Sequence, residues 1–153
     1  MSADLSLVIE PDPRIAEERI CCGLKEFNTK ALGEYSHLPL VVTLRDADRE
    51  VRAGIVGGVH LGWLNVDSLW VEERLRGQGY GSELLAQLES LSLSHGASRA
   101  FLDTMEFQAV GFYLRRGYVE FGRISDFARG FDRVFLQKAL IDEHSTARQA
   151  HDT

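Results

Sequence analysis

The chain has 153 residues, of which 44% are hydrophobic and 26% charged, an ordinary composition for one globular domain with a real core. A formal net charge of −6 excludes nucleic acid as the main partner, because no basic stripe is available to neutralise phosphates, while it suits cationic amines. No apolar run reaches the ~18 residues that read as a membrane span, so no membrane partner is expected.

The first residues, Met1-Ser2-Ala3-Asp4-Leu5-Ser6, lack the basic and apolar regions of a signal peptide. The two cysteines are adjacent at Cys21 and Cys22, where disulfides rarely form, so a reducing, cytoplasmic setting is expected. Residues 5–10 have the character of a short strand, ended by Pro11. Asp12-Pro13 then reads as an N-cap followed by the first helical residue. Ala16, Ile20, Leu24 and Phe27 recur at steps of four, four and three, which gives that helix one apolar face. Residues 38–45 are β-rich, and Asp46-Ala47-Asp48-Arg49 turns the chain into a second strand near 51–61. Gly54, Gly57, Gly58 and Gly62 weaken that strand and predict a bulge or a close approach of another element.

A third strand follows at 63–71, then the run Arg76-Gly77-Gln78-Gly79-Tyr80-Gly81. Leu84, Leu85, Leu88 and Leu91 have helical spacing, and this helix ends near His95-Gly96, with Gly96 suited to the C′ position and His95 to the negative end of the helix dipole. Strand 99–104, helix 107–116 and strands 118–124 and 133–140 complete the pattern. With no repeat or linker, residues 1–140 read as one domain, and the polar tail 141–153 is expected to fray.

A strand, a glycine-rich turn and a helix in succession aim backbone N–H groups and a helix dipole at one anion. The glycines remove Cβ atoms that would hold a phosphate at a distance. A dinucleotide fingerprint needs G-x-G-x-x-G, whereas Ser82 fills the place of its third glycine, and a Walker loop needs a lysine that is absent here. What remains, Arg76-x-x-Gly79-x-Gly81, resembles the [QR]-x-x-G-x-[GA] signature of the GNAT family of N-acetyltransferases. About 30 residues later, Ala109, Phe112, Tyr113, Gly117 and Tyr118 resemble the A-x-x-F-Y-x-x-x-G-[FY] pattern of the same family. The likeness covers roughly residues 38–140, and the run Asp103-Thr104-x-x-Phe107-Gln108-Ala109 is similar to a subgroup of small bacterial members.

The resemblance implies an α/β (α+β) GNAT fold: a central mixed, mostly antiparallel sheet of six to seven strands flanked by about four helices. It implies acetyl-CoA as co-substrate and direct acetyl transfer to an amine. The backbone at Leu69, Trp70 and Val71 would hold the pantetheine arm, and an N–H there would polarise the thioester. Arg76, Gly77, Gln78, Gly79, Tyr80, Gly81 and Ser82 would bind the pyrophosphate, although Arg76 also reads as a solvated charge at the helix entry.

Tyr113 is the candidate general acid for the departing thiolate, a phenol of pKa near ~10 being a credible donor, with closure of the helix–sheet core as the competing role. The general base is open among Asp67, Asp103 and Glu106, each of which also reads as a surface charge or cap; Asp67 comes first, because strand alternation can aim it into the cleft. Glu106 stands where many family members have an asparagine that bonds the pantetheine, which puts that contact in doubt. Phe107 reads as a core aromatic before it reads as a pocket wall. His37, His60, His95, His144 and His151 lack metal-ligand spacing, so no metal is expected. The loop 126–131 falls where this fold often borders the acceptor site or a dimer interface. The expected partner is a small-molecule or peptide amine, and a homodimer is compatible with this reading. The alternative is a non-catalytic acyl-CoA-binding or regulatory protein of the same fold.

Overall fold

A computed structural model describes residues 5–141, so most of the tail 141–153 lies outside the described residues. The contacts divide the chain into two compact units, Met1–Tyr35 and Ser36–Thr153.

In the first unit, helix α1 spans Pro13–Leu32, with the Asp12 carboxylate accepting from the Arg14 N–H and Pro13 opening the first turn. Gly33, at φ 75°, ends it, its N–H returning to the Thr29 carbonyl. Residues 5–10 are not a strand: β propensity describes fit to a pleated neighbour, and no strand among the described residues pairs with them.

The second unit is built on a six-stranded sheet in the order β1-β2-β3-β4-β6-β5. The strands are β1 His37–Arg45, β2 Val51–His60, β3 Trp63–Val71, β4 Arg99–Met105, β5 Val119–Ala128 and β6 Phe131–Ala139. Helix α2 spans Tyr80–Ser94 and helix α3 spans Val110–Leu114. All neighbours run antiparallel except β3 and β4. The described chain therefore has the expected mixed sheet with three α-helices rather than about four. The difference has a plain cause, since α1 runs unbroken to Leu32 and leaves no room for a further helix before β1 begins at His37.

Sheet faces follow from alternation. Ala53, Ile55, Leu64, Val66, Ala100, Leu102, Val134 and Leu136 lie buried, together with Leu84, Leu85 and Leu88 of α2. Ser92 takes the next inward position instead of Leu91, at i+4 from Leu88, and its hydroxyl donates to the Glu89 carbonyl. The β2–β3 turn uses Leu61 and Gly62, both at positive φ, which suits the twist of a two-residue hairpin.

Helix α3 is shorter than the predicted 107–116. The Gln108 side chain folds back to accept from the Met105 N–H and the Thr104 hydroxyl, which holds residues 106–109 in a turn. The last hairpin is longer than predicted. Arg129 and Gly130, both at positive φ, form its turn, and the Asp126 and Asp132 carboxylates accept from the Gly130 and Asp126 N–H groups respectively. Much of the predicted loop 126–131 is therefore strand.

Two irregularities prepare the site. Between Val56 and Gly57 the β2–β3 register shifts by one, leaving Asp67 as the extra residue of a bulge on β3. A Cβ on Gly57 would collide there with the Asn65 carbonyl, which explains one of the glycines in β2. Parallel pairing of β3 with β4 runs only from Trp63–Arg99 to Val66–Leu102. Beyond that point the two strands part, and the edge of β3 from Asp67 to Val71 faces β4 without a ladder.

Candidate active site

The parted strands open into a cleft of about 1090 Å³. One wall is the end of β3 (Leu69, Trp70, Val71), the next is the turn after it and the start of α2, and the third is the segment 107–116 with α3. Leu75, Arg76, Gly77, Gly79, Tyr80, Gly81 and Ser82 line the second wall. A single 3-10 turn at Glu73–Leu75 carries the chain from the strand into this loop.

Gly77 and Gly79 adopt φ of 73° and 91°, with open space where a Cβ would stand, so backbone conformation is what requires glycine at these two positions. Gly79 is the N-cap of α2 and offers no side chain to its first N–H groups. The first bond of the helix is from the Glu83 N–H to the Gly79 carbonyl. The donors before it, on Tyr80, Gly81 and Ser82, have no acceptor within the helix and stand at the cleft wall. This arrangement draws an anion. Gly81 differs: its backbone is helical, and a Cβ there would meet the Phe112 ring at 3.4 Å, an ordinary van der Waals contact.

The Arg76 Nε donates to the Val71 carbonyl at 3.0 Å, which pins the loop to the end of β3 and leaves the rest of the guanidinium at the cleft. Gln78 is the one expected cofactor residue that does not line the cleft; its side-chain amide turns back to the Arg74 carbonyl. Across the cleft, Arg116 donates to the Phe112 carbonyl and the Ser82 hydroxyl, with its guanidinium 3.8 Å above the Phe112 ring. Arg115 and Arg116 did not figure among the expected site residues, although both sit inside the tyrosine motif that pointed to this region. Among the described residues the cleft lining thus holds three arginines and no carboxylate, in a chain whose net charge is −6.

Tyr113 does not line the cleft. It is buried, edge-on to Phe112 at 5.0 Å and to Tyr118 at 5.5 Å, and burial pushes its phenol up to about 12. Among the described residues its hydroxyl has no hydrogen-bond partner, yet it is not fully occluded. The neighbouring Tyr118 is different, since its hydroxyl donates to Glu89.

The three candidate bases also separate. Asp67 is exposed at the bulge and accepts from the Asn65 side-chain amide at 2.6 Å. Asp103 is paired with Arg133. Glu106 accepts from the Asp132 N–H and donates its own N–H to the Asp132 carbonyl, which ties the start of the α3 segment to the last hairpin. Phe107 is exposed at the cleft, edge-on to Phe131 at 4.8 Å, and is a wall rather than a core residue. No group of three or more metal-ligating side chains comes together among the described residues. No helix among them is long and apolar enough to cross a membrane.

Known proteins match this arrangement. The family model described as Acetyltransferase (GNAT) family covers residues 12–118. An acetyltransferase of Agrobacterium fabrum is 35% identical over 123 residues, 80% of this chain and 90% of that protein. The blasticidin-S acetyltransferase of Streptomyces morookaense is 40% identical over 92 residues, 60% of this chain and 68% of that protein. The crystal structure of an acetyltransferase from Bacillus cereus matches with a TM-score of 0.79 and 29% identity, over 87% of this chain and 97% of that chain. The family model extends through both the glycine loop and the tyrosine motif, the two segments that form facing walls of the cleft. The chain belongs to the GNAT family of acetyltransferases.

Proposed function

We propose that this chain transfers the acetyl group of acetyl-CoA directly to an amine of a small cationic molecule, with the coenzyme in the cleft between β3 and α3. One observation carries the reading: an uncapped helix N-terminus and three arginines converge on a cleft that has no carboxylate among its described lining residues and is bordered by an unladdered strand edge. That lining suits a long ligand with a polyanionic end and an amide-bearing arm. Arg76 and the N–H groups of Tyr80, Gly81 and Ser82 would hold the diphosphate, and the β3 edge at Leu69–Val71 would bond the pantetheine amides as a short added strand. Bound there, the coenzyme supplies an activated acetyl thioester.

The chain's own groups supply the proton transfers. Tyr113 is assigned as general acid, because its hydroxyl is claimed by no protein group and its ring adjoins a cleft-lining residue. With its phenol pushed up to about 12, it stays protonated throughout the physiological range. Asp67 is assigned as the base that takes the amine proton through water, since Asp103 is paired with Arg133 and Glu106 is tied to the last hairpin, whereas Asp67 is exposed at the bulge beside the β3 edge. Relatives suggest the acceptor class: the Streptomyces morookaense protein is named for blasticidin S, an antibiotic. A small-molecule amine is therefore placed ahead of a peptide amine.

Calorimetric titration with acetyl-CoA and with CoA tests this reading, repeated on Gly79→Glu, whose carboxylate would occlude and repel the diphosphate. Saturable binding that disappears in the folded variant is the expected result, followed by thiol release on addition of an amine such as blasticidin S. Absence of binding to the folded wild type overturns the reading. Binding without thiol release across a broad amine screen favours the non-catalytic alternative.

A further inference from the structure

The cleft has more cationic groups than one diphosphate needs, and they lie on two separate elements. The α2 N-terminus and Arg76 form one set, and Arg115 with Arg116, at the end of α3, form the other. The two arginines of the second set are in different situations. Arg116 is engaged: its guanidinium is bonded to the Phe112 carbonyl and the Ser82 hydroxyl and stacked on the Phe112 ring. It braces α3 against the first turn of α2. Arg115 is exposed at the cleft, and among the described residues no carboxylate pairs with it. Its guanidinium folds back over α3, with Nη1 3.2 Å from the point where a Cβ on Gly111 would stand. Gly111 leaves room for that posture. The result is an unneutralised planar fork at the cleft wall, the kind of group that takes a phosphate through two parallel bonds.

We propose that Arg115 recognises a second phosphate of the coenzyme, separate from the diphosphate: the 3′-phosphate of its ribose. This inference rests on the reading of the cleft as the acetyl-CoA site. Coenzyme A carries two anionic groups with a ribose between them, and the cleft presents two cationic sets on facing walls. Arg116 positions the wall on which Arg115 stands; Arg115 itself makes the contact. The chain thereby distinguishes coenzyme A from coenzyme lacking the 3′-phosphate.

The test is a calorimetric titration of wild type, Arg115→Gln and Arg115→Lys with CoA and with 3′-dephospho-CoA. Wild type is expected to bind the dephosphorylated coenzyme ~10-fold or more weakly, the worth of a charge-assisted contact. Arg115→Gln is expected to bind CoA no better than wild type binds 3′-dephospho-CoA, and to bind the dephosphorylated form as wild type does. Arg115→Lys is expected to fall between, since it keeps the charge without the fork. Equal binding of the two coenzymes by wild type overturns the inference and leaves the acetyl-CoA reading intact. So does an Arg115→Gln loss of the same size for both. If the folded wild type binds neither coenzyme, the reading of the cleft falls and this inference with it.

Discussion

Gly81 and Phe112 close the base of the cleft together: the ring lies where only a glycine, or at most one methyl group, leaves it in place. Gly79, two residues earlier, has open space around it but a φ of 91°. Alanine therefore has unequal consequences at the two positions. Gly79→Ala should destabilise the fold by about 1–2 kcal/mol through left-handed backbone strain. Gly81→Ala should change stability by less than ~1 kcal/mol, because its backbone is helical and the new contact is an ordinary one. Thermal unfolding of the two variants checks the contrast, and equal losses would refute it.

Tyr113→Phe separates the two roles open to that residue. If the hydroxyl is the acid, acetyl transfer should fall by ~10²–10⁴-fold with little change in melting temperature. A ring that only fills the core would leave turnover near wild type.

The same substitution has a signature at high pH. The Tyr113 phenol is pushed up to about 12 by burial, while in the unfolded chain it titrates near ~10. Its folded value is raised, so its contribution is complete below pH ~10 and is lost as pH climbs toward 12, where only the unfolded tyrosine ionises. Tyr118 acts in the same direction, raised by burial and then by the Glu89 carboxylate. Urea midpoints should therefore fall above pH ~10, and more gently in Tyr113→Phe than in wild type. An unchanged slope would mean that Tyr113 is not buried as described.

Asp67→Asn should lower turnover by ~10²–10⁴-fold and remove the acidic limb of the pH–rate profile, if Asp67 takes the amine proton. Asp103→Asn breaks the pair with Arg133 instead and should leave that limb in place. Rate profiles for both variants decide between the two carboxylates, and an intact limb in Asp67→Asn would end its assignment as base.

Glu89 on α2 receives both Lys138 and Tyr118, at 2.9–3.0 Å, and joins helix to sheet beneath the core. Lys138→Met leaves a largely buried carboxylate with one phenolic partner, at a cost of about 1–3 kcal/mol. Chemical denaturation measures that loss, which should be recovered in part by Glu89→Gln in the same chain.

The order of elements, the α2 core face and the glycine-rich loop at its N-terminus were legible in the sequence because each rests on local spacing. Leu84, Leu85 and Leu88 repeat with the helix, and Gly77 and Gly79 sit where the backbone needs positive φ. What sequence reading missed depends on contacts distant along the chain or on single side chains folding back. Gln108 shortens α3 by bonding the strand before it, which no periodicity signals. Ser92 replaces Leu91 in the core because the exact helical phase, rather than hydrophobicity, decides which side faces inward. Arg116 reaches Ser82 across 34 positions, so its brace between the two motifs appears only once they are folded against each other.

The bulge at Asp67 also reverses the parity of β3. Before it, the even-numbered Leu64 and Val66 point into the core; after it, the odd-numbered Leu69 and Val71 do so, and Trp70 faces outward. One extra residue thus lets a single strand keep an apolar underside while its free edge is re-phased toward the cleft. Deleting Asp67 would leave Val66 and Ser68 as consecutive partners of Gly57 and Val56, with Leu69 and Val71 still facing the core and Trp70 still outward; what disappears is the kink that turns the strand edge toward the cleft.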